Sequence, residues 1–238
     1  GKPLGFLAAF QGGRSVGVPG NIALMAETHK KWGKLSWAKL FKPAIRLSEK
    51  GFVVNKTLES RLDGIKPLWS NFDEARTIYW VDGKPLKAGM TFKNPKLAAT
   101  LKLLAKKGPD AFYKGKIASQ IVDAVGNSKL SPGDMTMTDL AQYRAKEQNA
   151  VCAPYRVYVV CGMAPPSSGA TTVLQILSTI ERFDMKAMGK DNPKSWYLVG
   201  QAMQLAYADR EKYLGDDAFV SVPVAGLISP EYIKQRSA

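Results

Sequence analysis

The sequence is poor in the side chains that most often carry catalysis or bind metals. Its 238 residues include one histidine, His29, and two cysteines, Cys152 and Cys161. Zinc sites usually take four ligands drawn from such residues, so neither a metal site nor another cofactor is expected. A Ser-His-Asp mechanism within this chain is not expected either, because His29 lies among charged residues with no nucleophile beside it. We predict a surface histidine.

The spacing of the two cysteines does not favour a disulfide. Cys152 and Cys161 flank Pro154, where a hairpin turn is predicted. Cysteines that bridge a hairpin must lie directly opposite each other on the two strands. Because their distances from Pro154 are unequal, we predict two free and mostly buried thiols.

Long apolar runs are also absent. No stretch of about eighteen apolar residues occurs, which predicts no membrane span. The apolar patch from Leu4 to Phe10 is too brief for a signal peptide. The first residue is Gly1 rather than Met, so we expect the chain to begin within a longer gene product or after a cleavage. A hydrophobic content of 45% is still ample for a core, in one large domain or two small ones.

Acidic residues are few relative to basic ones. Lys and Arg number 34 against 20 Asp and Glu, which gives a formal net charge of +14. Such a charge favours acidic partners, but it is spread along the chain as pairs such as Lys30-Lys31, without an Arg-rich arm or zinc-finger spacing. We predict a solvated basic surface that binds no nucleic acid. A non-enzymatic scaffold for anionic polymers is the alternative of a different class.

Residues up to about 145 have mainly the apolar periodicity of packed helices. The predicted helices are Asn21–Trp32, Trp37–Lys50 capped by Ser36, Asn55–Ile65, a helix opened by Asn94-Pro95 and closed by Gly108, Ile117–Val125, and Asp139–Tyr143 capped by Thr138. Leu4–Phe10 is predicted as a short strand, and Thr77–Val81 and Lys84–Phe92 as two strands joined by an Asp82-Gly83 turn.

The glycine-dense loop from Gly12 to Gly20 matches neither a phosphate-binding loop nor a dinucleotide fingerprint. Close packing of the backbone is its predicted purpose. Arg14 in this loop could grip a carboxylate, and a solvated arginine is the simpler interpretation.

From Lys146 the pattern changes to strand, turn and helix. A strand region at about Lys146–Met163, centred on Arg156–Cys161, leads through the small-residue turn Pro165–Gly169 into an apolar helix. Ser167 or Ser168 can cap this helix, and Gly169 would let the backbone approach a neighbour closely. A helix start of this kind can hold an anion or oxyanion; a capped helix without a ligand is the alternative.

The last part of the chain is predicted to be mostly helical. The pattern of Asn192–Tyr213 predicts a long helix whose apolar face includes Trp196 and Met203. After an irregular segment, Ser229-Pro230 is predicted to begin a final helix. Asp209 and Arg210 are adjacent on the long helix and do not share a face, which favours structural ion pairs over a functional site.

Five separated motifs occur in an order and spacing that resemble the γ-glutamyltranspeptidase family. They are Gly17-Val18-Pro19-Gly20; Pro43-Ala44 with Gly51 to Asn55; Gly108 to Gly115; Pro165-Pro166-Ser167-Ser168-Gly169; and Tyr207-Ala208-Asp209-Arg210. Together they extend over nearly the whole chain, so the resemblance is far more specific than any one motif alone.

The resemblance implies an α+β chain that is part of a four-layer αββα N-terminal nucleophile hydrolase fold. Residues 1–238 would be a partial large-subunit segment, with 1–145 a mainly helical layer and 146–238 a strand-turn-helix followed by C-terminal helices. In this family a precursor cuts itself, and the new N-terminal threonine of the small subunit acts as nucleophile with its own α-amine as base. The resemblance therefore implies γ-glutamyl transfer from glutathione or related amides through an acyl-enzyme, a small catalytic subunit as partner, and a periplasmic or secreted location.

The resemblance assigns no catalytic, substrate-binding or metal residue within this chain. Thr171-Thr172 lies inside a predicted helix and is followed by Val173, so it is not equated with the nucleophile, nor is Ser167-Ser168 equated with the family's small-subunit serine pair. Ala170 also departs from the glycine that is usual after Gly169.

We expect the chain alone to be inactive, to expose sheet edges and apolar helix faces, and to self-associate. A relative specialised for cephalosporin side chains or for poly-γ-glutamate is a further alternative.

Overall fold

The computed structural model describes residues 5–69 and 71–237 and divides them into two compact units, one up to Ala145 and one from Lys146. The first unit is mainly helical. Its helices are α1 (Phe6–Phe10), α2 (Asn21–Trp32), α3 (Trp37–Lys50), α4 (Lys56–Trp69), α5 (Asp73–Tyr79), α6 (Pro95–Lys107), α7 (Asp110–Tyr113), α8 (Lys116–Gly126) and α9 (Met137–Gln142). Its strands are β1 (Phe52–Val53), β2 (Trp80–Val81), β3 (Lys84–Pro85) and β4 (Thr91–Phe92).

Several helix ends follow the predicted capping chemistry. The Asn94 side chain accepts a hydrogen bond from the Leu97 N–H, and Asn55 accepts one from Leu58 in the same way. Gly51 and Gly108 end α3 and α6 with φ values of 87° and 77°, which glycine adopts without steric cost. Ser36 occupies the position before α3, but its side chain makes no capping hydrogen bond.

Two predicted strands are helices instead. Leu4 lies outside the described residues and Gly5 precedes the helix, but Phe6–Phe10 form α1. The Ala9 N–H donates to Gly5 O at 3.0 Å, and Phe6 stacks on Phe10 one turn later. Alanine is the strongest helix former, and this local preference prevails over the apolar pattern.

The second predicted strand that is mostly helical is Thr77–Val81, because α5 continues to Tyr79. Acidic residues in its first turn suit the helix dipole, and Thr77 Oγ1 donates to Asp73 O at 2.7 Å. Only β2 remains as a strand. The Asp82-Gly83 turn joins it to β3 as predicted. The run Lys84–Phe92 is not one strand, because β4 pairs with β1.

The cap of α9 was assigned two residues too late. Thr136, not Thr138, precedes the helix, and its Oγ1 accepts from the Asp139 N–H at 3.2 Å. The Asp139 carboxylate in turn accepts from the Thr136 N–H at 2.8 Å, which completes a capping box.

The first unit contains two apolar clusters. One is built on Val54, Leu62 and Leu86, and the other on Tyr113, Ala118 and Leu140. Tyr113 also joins two of the sequence motifs, because its hydroxyl donates to Pro19 O at 2.7 Å and accepts from the Ala23 N–H at 3.0 Å. The motifs Gly17–Gly20 and Gly108–Gly115 are thereby fixed against each other.

Close backbone packing is confirmed for the first two glycines of the glycine-dense loop, whereas Gly17 has no atom within 4 Å of a Cβ position. A Cβ atom on Gly12 would lie 1.8 Å from Leu130 O, and one on Gly13 would lie 2.1 Å from Val125 O. The backbone amides of Gly13 and Arg14 donate to carbonyl groups of Leu130 and Ser131. Any side chain at Gly12 or Gly13 would push these segments apart.

The second unit begins with a β-hairpin and continues with helices. Its elements are β5 (Val151–Tyr155), β6 (Tyr158–Gly162), α10 (Gly169–Ile180), α11 (Met185–Met188), α12 (Pro193–Tyr213), α13 (Val224–Leu227) and α14 (Pro230–Arg236). The inner side of the hairpin packs on α10, and α10 packs on α12 and α14. The predicted order of strand, turn and helix is confirmed.

The hairpin corrects the prediction of two free thiols. Its turn is at Arg156-Val157 rather than Pro154, and the strand register places Cys152 opposite Cys161. The two cysteines form a disulfide, with Cα atoms 4.1 Å apart. Both residues are exposed rather than buried. The misplaced turn caused the error, because the cysteines are equidistant from the actual turn.

The hairpin tip is attached to the C-terminal end of α10. The Arg156 N–H donates to Glu181 Oε1 at 2.6 Å, and its guanidinium donates to Phe183 O at 2.7 Å. Arg156 has a φ of 56°, so these two contacts hold a residue in the left-handed region.

The buried face of the long helix α12 consists of small and polar side chains, whereas the large apolar side chains that were predicted to be buried are exposed. Trp196 and Met203 are exposed, whereas the buried side chains of α12 are Ser195, Ala202, Ala206 and Asp209. Small residues let α12 approach α10 closely, and this leaves the large apolar side chains on the outer face.

Candidate functional site

The turn before α10 is the strongest candidate site in the sequence, and the structure assigns its serines to internal contacts. Ser168 lies directly before the helix, but its side chain makes no capping bond; its Oγ accepts from Arg210 Nε at 3.1 Å. Ser167 Oγ accepts from the Gly169 N–H at 3.4 Å. The predicted serine cap is therefore not formed in the usual way.

The predicted close approach at Gly169 does not occur, because no other described segment lies close to its backbone. A Cβ atom placed there would meet only Ser167 Oγ, at 3.6 Å, which is an ordinary contact. The close approach occurs instead at Gly162, where a Cβ atom would lie 2.8 Å from the Ala170 Cβ. Gly162 thus lets the end of β6 lie against the start of α10.

A small polar cleft lies beside this turn. It has a volume of about 280 Å³, and its lining is Pro166, Ser168, Arg210, Glu211, Leu214, Gly215 and Asp216. The Arg210 guanidinium donates to Ser168 and also to Glu211 Oε1 at 2.5 Å. Because Glu211 and Asp216 bring negative charge to the same cleft, the arrangement does not favour an anion. It can orient a polar group, but it contains no nucleophile paired with a base.

The neighbouring Asp209 faces the interior of the second unit. Its Oδ1 accepts from Arg236 Nε and Nη2 at 3.2 and 3.0 Å, and its Oδ2 accepts from Gln175 Nε2 at 2.9 Å. Gln175 also donates to Leu227 O at 3.1 Å. One buried carboxylate therefore ties α12 to α10 and α14, as the prediction of structural ion pairs requires.

This cluster perturbs the ionisation of the groups around it. The hydrogen bond to Asp209 raises the pKa of Arg236, which keeps the guanidinium charged. Burial raises the pKa of the Tyr232 phenol, and its hydrogen bond with Asp209 adds to the effect. Gln175 and Arg236 were missed in the sequence; a lone glutamine inside the apolar run of α10 was the one available signal.

The remaining candidates have structural positions. Thr171 and Thr172 are buried inside α10, and their nitrogens are peptide amides, so neither can supply the free α-amine of an N-terminal nucleophile. The His29 ring packs edge-on against Trp37, with Nε2 2.7 Å from Leu35 O. The Arg14 backbone belongs to the packed glycine loop, and its side chain is exposed.

The described residues contain neither a metal-binding cluster nor a membrane-spanning helix. In the ranges 5–69 and 71–237, no three His, Cys, Asp or Glu side chains are grouped so that they could hold a metal ion. No helix in the same ranges is long and apolar enough to cross a membrane.

The fold matches solved structures of N-terminal nucleophile hydrolases. The crystal structure of Helicobacter pylori γ-glutamyltranspeptidase superposes with a TM-score of 0.92 at 32% sequence identity, covering 98% of this chain and 66% of that one. The class is therefore the α+β fold predicted from the sequence.

Sequence comparisons identify the family. The family model described as γ-glutamyltranspeptidase matches residues 6–238. The chain belongs to the γ-glutamyltranspeptidase family.

Curated relatives agree with this membership. The glutathione hydrolase proenzyme of Escherichia coli K12 is 39% identical over 222 residues, which are 92% of this chain and 37% of the relative. The acylase ACY 1 proenzyme of Pseudomonas sp. SE83 is 34% identical over 227 residues, which are 95% of this chain and 40% of the relative. The chain thus spans about 40% of the length of these relatives.

Proposed function

We propose that this chain is the large-subunit segment of a γ-glutamyltranspeptidase-like enzyme. The complete enzyme transfers or hydrolyses the γ-glutamyl groups of glutathione and related amides. The observation that supports this most is the family match over residues 6–238. All five motifs lie within that match, and two of them, Gly17–Gly20 and Gly108–Gly115, are joined directly by Tyr113.

The proposed chemistry needs no histidine from this chain. An N-terminal threonine on the small subunit attacks the γ-glutamyl carbonyl, its own α-amine takes the proton, and the resulting acyl-enzyme is released by water or an amine acceptor. The described residues provide scaffold and no nucleophile, since Thr171 and Thr172 lie within α10. The chain alone is therefore inactive.

The proposed partner is the small catalytic subunit cut from the same precursor. The relatives named above are proenzymes, and the chain spans only part of each. In the second unit, β5 and β6 pair only with each other among the described residues, so both outer edges are open. Val157 and Val159 of this hairpin are 88% and 71% exposed. Open edges and apolar side chains of this kind suit a partner that adds strands.

The same exposed surfaces lead us to expect self-association of the isolated chain. Light scattering over a range of concentrations measures it. A rise in mean mass that disappears when the rest of the precursor is present is the expected result, and a monomer at high concentration would contradict it.

We further propose that the protein is exported, to the periplasm or outside the cell. The Cys152–Cys161 disulfide supports this location, because such bonds persist mainly in oxidising compartments. Mass spectrometry of the protein recovered from separated cell fractions would test it, and a cytosolic, fully reduced protein would argue against export.

A γ-glutamyl anilide assay tests the proposed reaction. The purified chain should release no nitroaniline from γ-glutamyl-p-nitroanilide, whereas the complete precursor, expressed from the same gene, should release it after self-cleavage. Activity of the isolated chain would refute the assignment of the nucleophile to the small subunit. A precursor that neither cuts itself nor reacts would refute the enzymatic proposal.

A cephalosporin acylase is the second candidate. It is supported by the solved structure of a cephalosporin acylase from Bacillus halodurans, which superposes with a TM-score of 0.80 at 28% sequence identity. The two candidates differ in the acyl group that the complete enzyme accepts. Comparing kcat/KM for glutathione and for an acylated cephalosporin separates them, because the preferred substrate has the larger value.

A further inference from the structure

The Cys152–Cys161 disulfide occupies a specific position in the hairpin ladder. The turn contains two residues, so Tyr155 and Tyr158 form the first hydrogen-bonded pair, and the pairs alternate from there. Cys152 and Cys161 form the fourth pair, which is not hydrogen-bonded. Side chains of such pairs are closest, and this explains how a bridge fits between directly opposed residues.

The bridge lies on the outer side of the hairpin. Successive residues of a strand point to opposite faces, and the partners Ala153 and Val160 are buried or half-buried on the side of α10. Cys152 and Cys161 therefore point away from α10, and both are exposed. In the part of the chain that the structure describes, no element of the second unit covers these two residues.

We propose that the Cys152–Cys161 disulfide is a site of reversible thiol–disulfide exchange with low-molecular-mass thiols. A thiolate attacks one cysteine sulfur, forms a mixed disulfide and releases the other cysteine as a thiolate. A second thiolate attacks the external sulfur of the mixed disulfide and releases the second cysteine. Two external thiols are thus oxidised to one disulfide while the protein bridge is reduced to two thiols, and an external disulfide reverses both steps.

The exchange acts on only one end of the hairpin. The tip stays attached through the contacts of Arg156 with Glu181 and Phe183, which do not involve the bridge. The bridge closes the opposite end, one residue before Gly162 packs against Ala170 at the start of α10. Reduction therefore loosens the open end of the hairpin and the entry to the Pro165–Gly169 turn.

The test uses the native chain of residues 1–238, with reduced and oxidised glutathione as the probe pair. After equilibration at a series of glutathione ratios, free thiols are alkylated and the protein mass is measured. We expect two alkyl labels per chain at reducing ratios, a glutathione adduct at intermediate ratios, and recovery of the unlabelled bridge when oxidised glutathione is added back. If the native chain stays unlabelled at every ratio and reacts only after denaturation, the proposal fails.

Two further measurements keep the test specific. In Cys161→Ser, Cys152 should accumulate the glutathione adduct, whereas Cys152→Ser/Cys161→Ser should take up neither adduct nor label. Hydrogen exchange of the reduced wild-type chain should accelerate at the amides of residues 151–153 and 160–164 and stay unchanged at Tyr155–Tyr158. Equal acceleration over the whole unit would indicate unfolding and contradict local opening.

The complete precursor provides the last comparison. The exchange proposal does not depend on the proposed enzymatic activity, since it concerns a bridge that the chain itself contains. If the assembled protein shields the bridge from glutathione under native conditions, exchange is not a property of the mature protein and the proposal is overturned, while the γ-glutamyl assay is unaffected.

Discussion

Among the described residues of the unit up to Ala145, the buried side chains are apolar except for Ser48 and the hydroxyl group of Tyr113. In the unit from Lys146, the buried apolar side chains are accompanied by a set of buried polar ones. These are Thr171, Thr172, Gln175, Thr179, Ser195, Asp209 and Ser237. An apolar core tolerates small shifts, whereas buried polar groups must find partners with good geometry.

The polar interior of the second unit is only partly satisfied. Asp209 accepts hydrogen bonds from Arg236 and Gln175 and is also bonded to Tyr232. In the described part of the chain, however, Thr171 Oγ1, Thr172 Oγ1 and Gln175 Oε1 are buried without a hydrogen-bond partner. Each unsatisfied group opposes folding by about 1 to 3 kcal/mol. The second unit therefore depends strongly on the few polar contacts that are well made, and Asp209 is the first to test.

Replacing Asp209 by alanine should give the largest loss. The change leaves Arg236 without its carboxylate and removes one partner of Gln175, so we expect the free energy of unfolding to fall by roughly 3.5 kcal/mol. Urea denaturation measures the loss, and hydrogen exchange in α12 assigns it to the second unit.

Glu211→Gln is the matched control, because Glu211 also pairs with an arginine of this unit but is 73% exposed. Exposed pairs contribute little, so this variant should change stability by less than about 0.5 kcal/mol. If Asp209→Ala and Glu211→Gln lowered the free energy of unfolding equally, the buried ion pair would contribute no more to stability than the exposed one, and the prediction would be wrong.

Two adjacent leucines of α6 test the apolar unit. Leu104 is 2% exposed and Leu103 is 39% exposed. Leu104→Ala removes buried methyl groups and leaves a cavity, so it should cost about 3 kcal/mol in the free energy of unfolding. Leu103→Ala should cost less than about 1 kcal/mol, since much of that side chain stays in water. Similar losses in urea denaturation would show that α6 is packed on both sides.

The contrast between the units also explains what sequence reasoning could predict. Helices α2, α3 and α6 were predicted closely because their caps and apolar periodicity are local signals. The buried faces were less well predicted: Trp196 and Met203 of α12 are 65% and 42% exposed, although the apolar period placed them on the buried side. The period identifies an apolar stripe, but which part of it is covered depends on distant elements.

The polar contacts of the second unit were beyond local signals. Asp209 and Arg236 are 27 residues apart, and Gln175 and Asp209 are 34 apart. The disulfide depended on a hairpin turn whose position differs from the prediction by only two residues. The motif Pro165–Gly169 marked the start of α10 as a candidate site, but it did not predict which side chains form hydrogen bonds with that helix.

Tyr113 provides a smaller test, on a polar contact inside the apolar unit. Tyr113→Phe removes the hydroxyl that bonds Pro19 O and the Ala23 N–H, and leaves both groups short of a partner. We expect a loss of about 1.5 kcal/mol at neutral pH. Tyr197→Phe is the control, because Tyr197 is 65% exposed and should change stability little.

The pH dependence of the same pair adds an independent readout. Burial raises the pKa of the Tyr113 phenol above its ordinary value of 10.0. The unfolded chain therefore releases this proton first, so the contribution of Tyr113 is complete below pH 10 and is lost as the pH rises through the folded pKa. Wild type should lose stability in this alkaline range more steeply than Tyr113→Phe. Parallel curves would show that the phenol is not protected by folding.

The two threonines near α9 provide the smallest effect and decide between the two assigned caps. Thr136→Ala removes the hydroxyl of the capping box and should lower the free energy of unfolding by about 1 kcal/mol, whereas Thr138→Ala should lower it by less than about 0.3 kcal/mol.

Hydrogen bonds from Thr136 lower the pKa of Asp139 below its ordinary value of 3.8. The stability that this carboxylate contributes is present above pH 3.8 and is lost as the pH falls through the lowered folded pKa. The difference between wild type and Thr136→Ala should therefore shrink in acid. Urea denaturation at neutral and acidic pH measures it, and a larger loss in Thr138→Ala would restore the later cap.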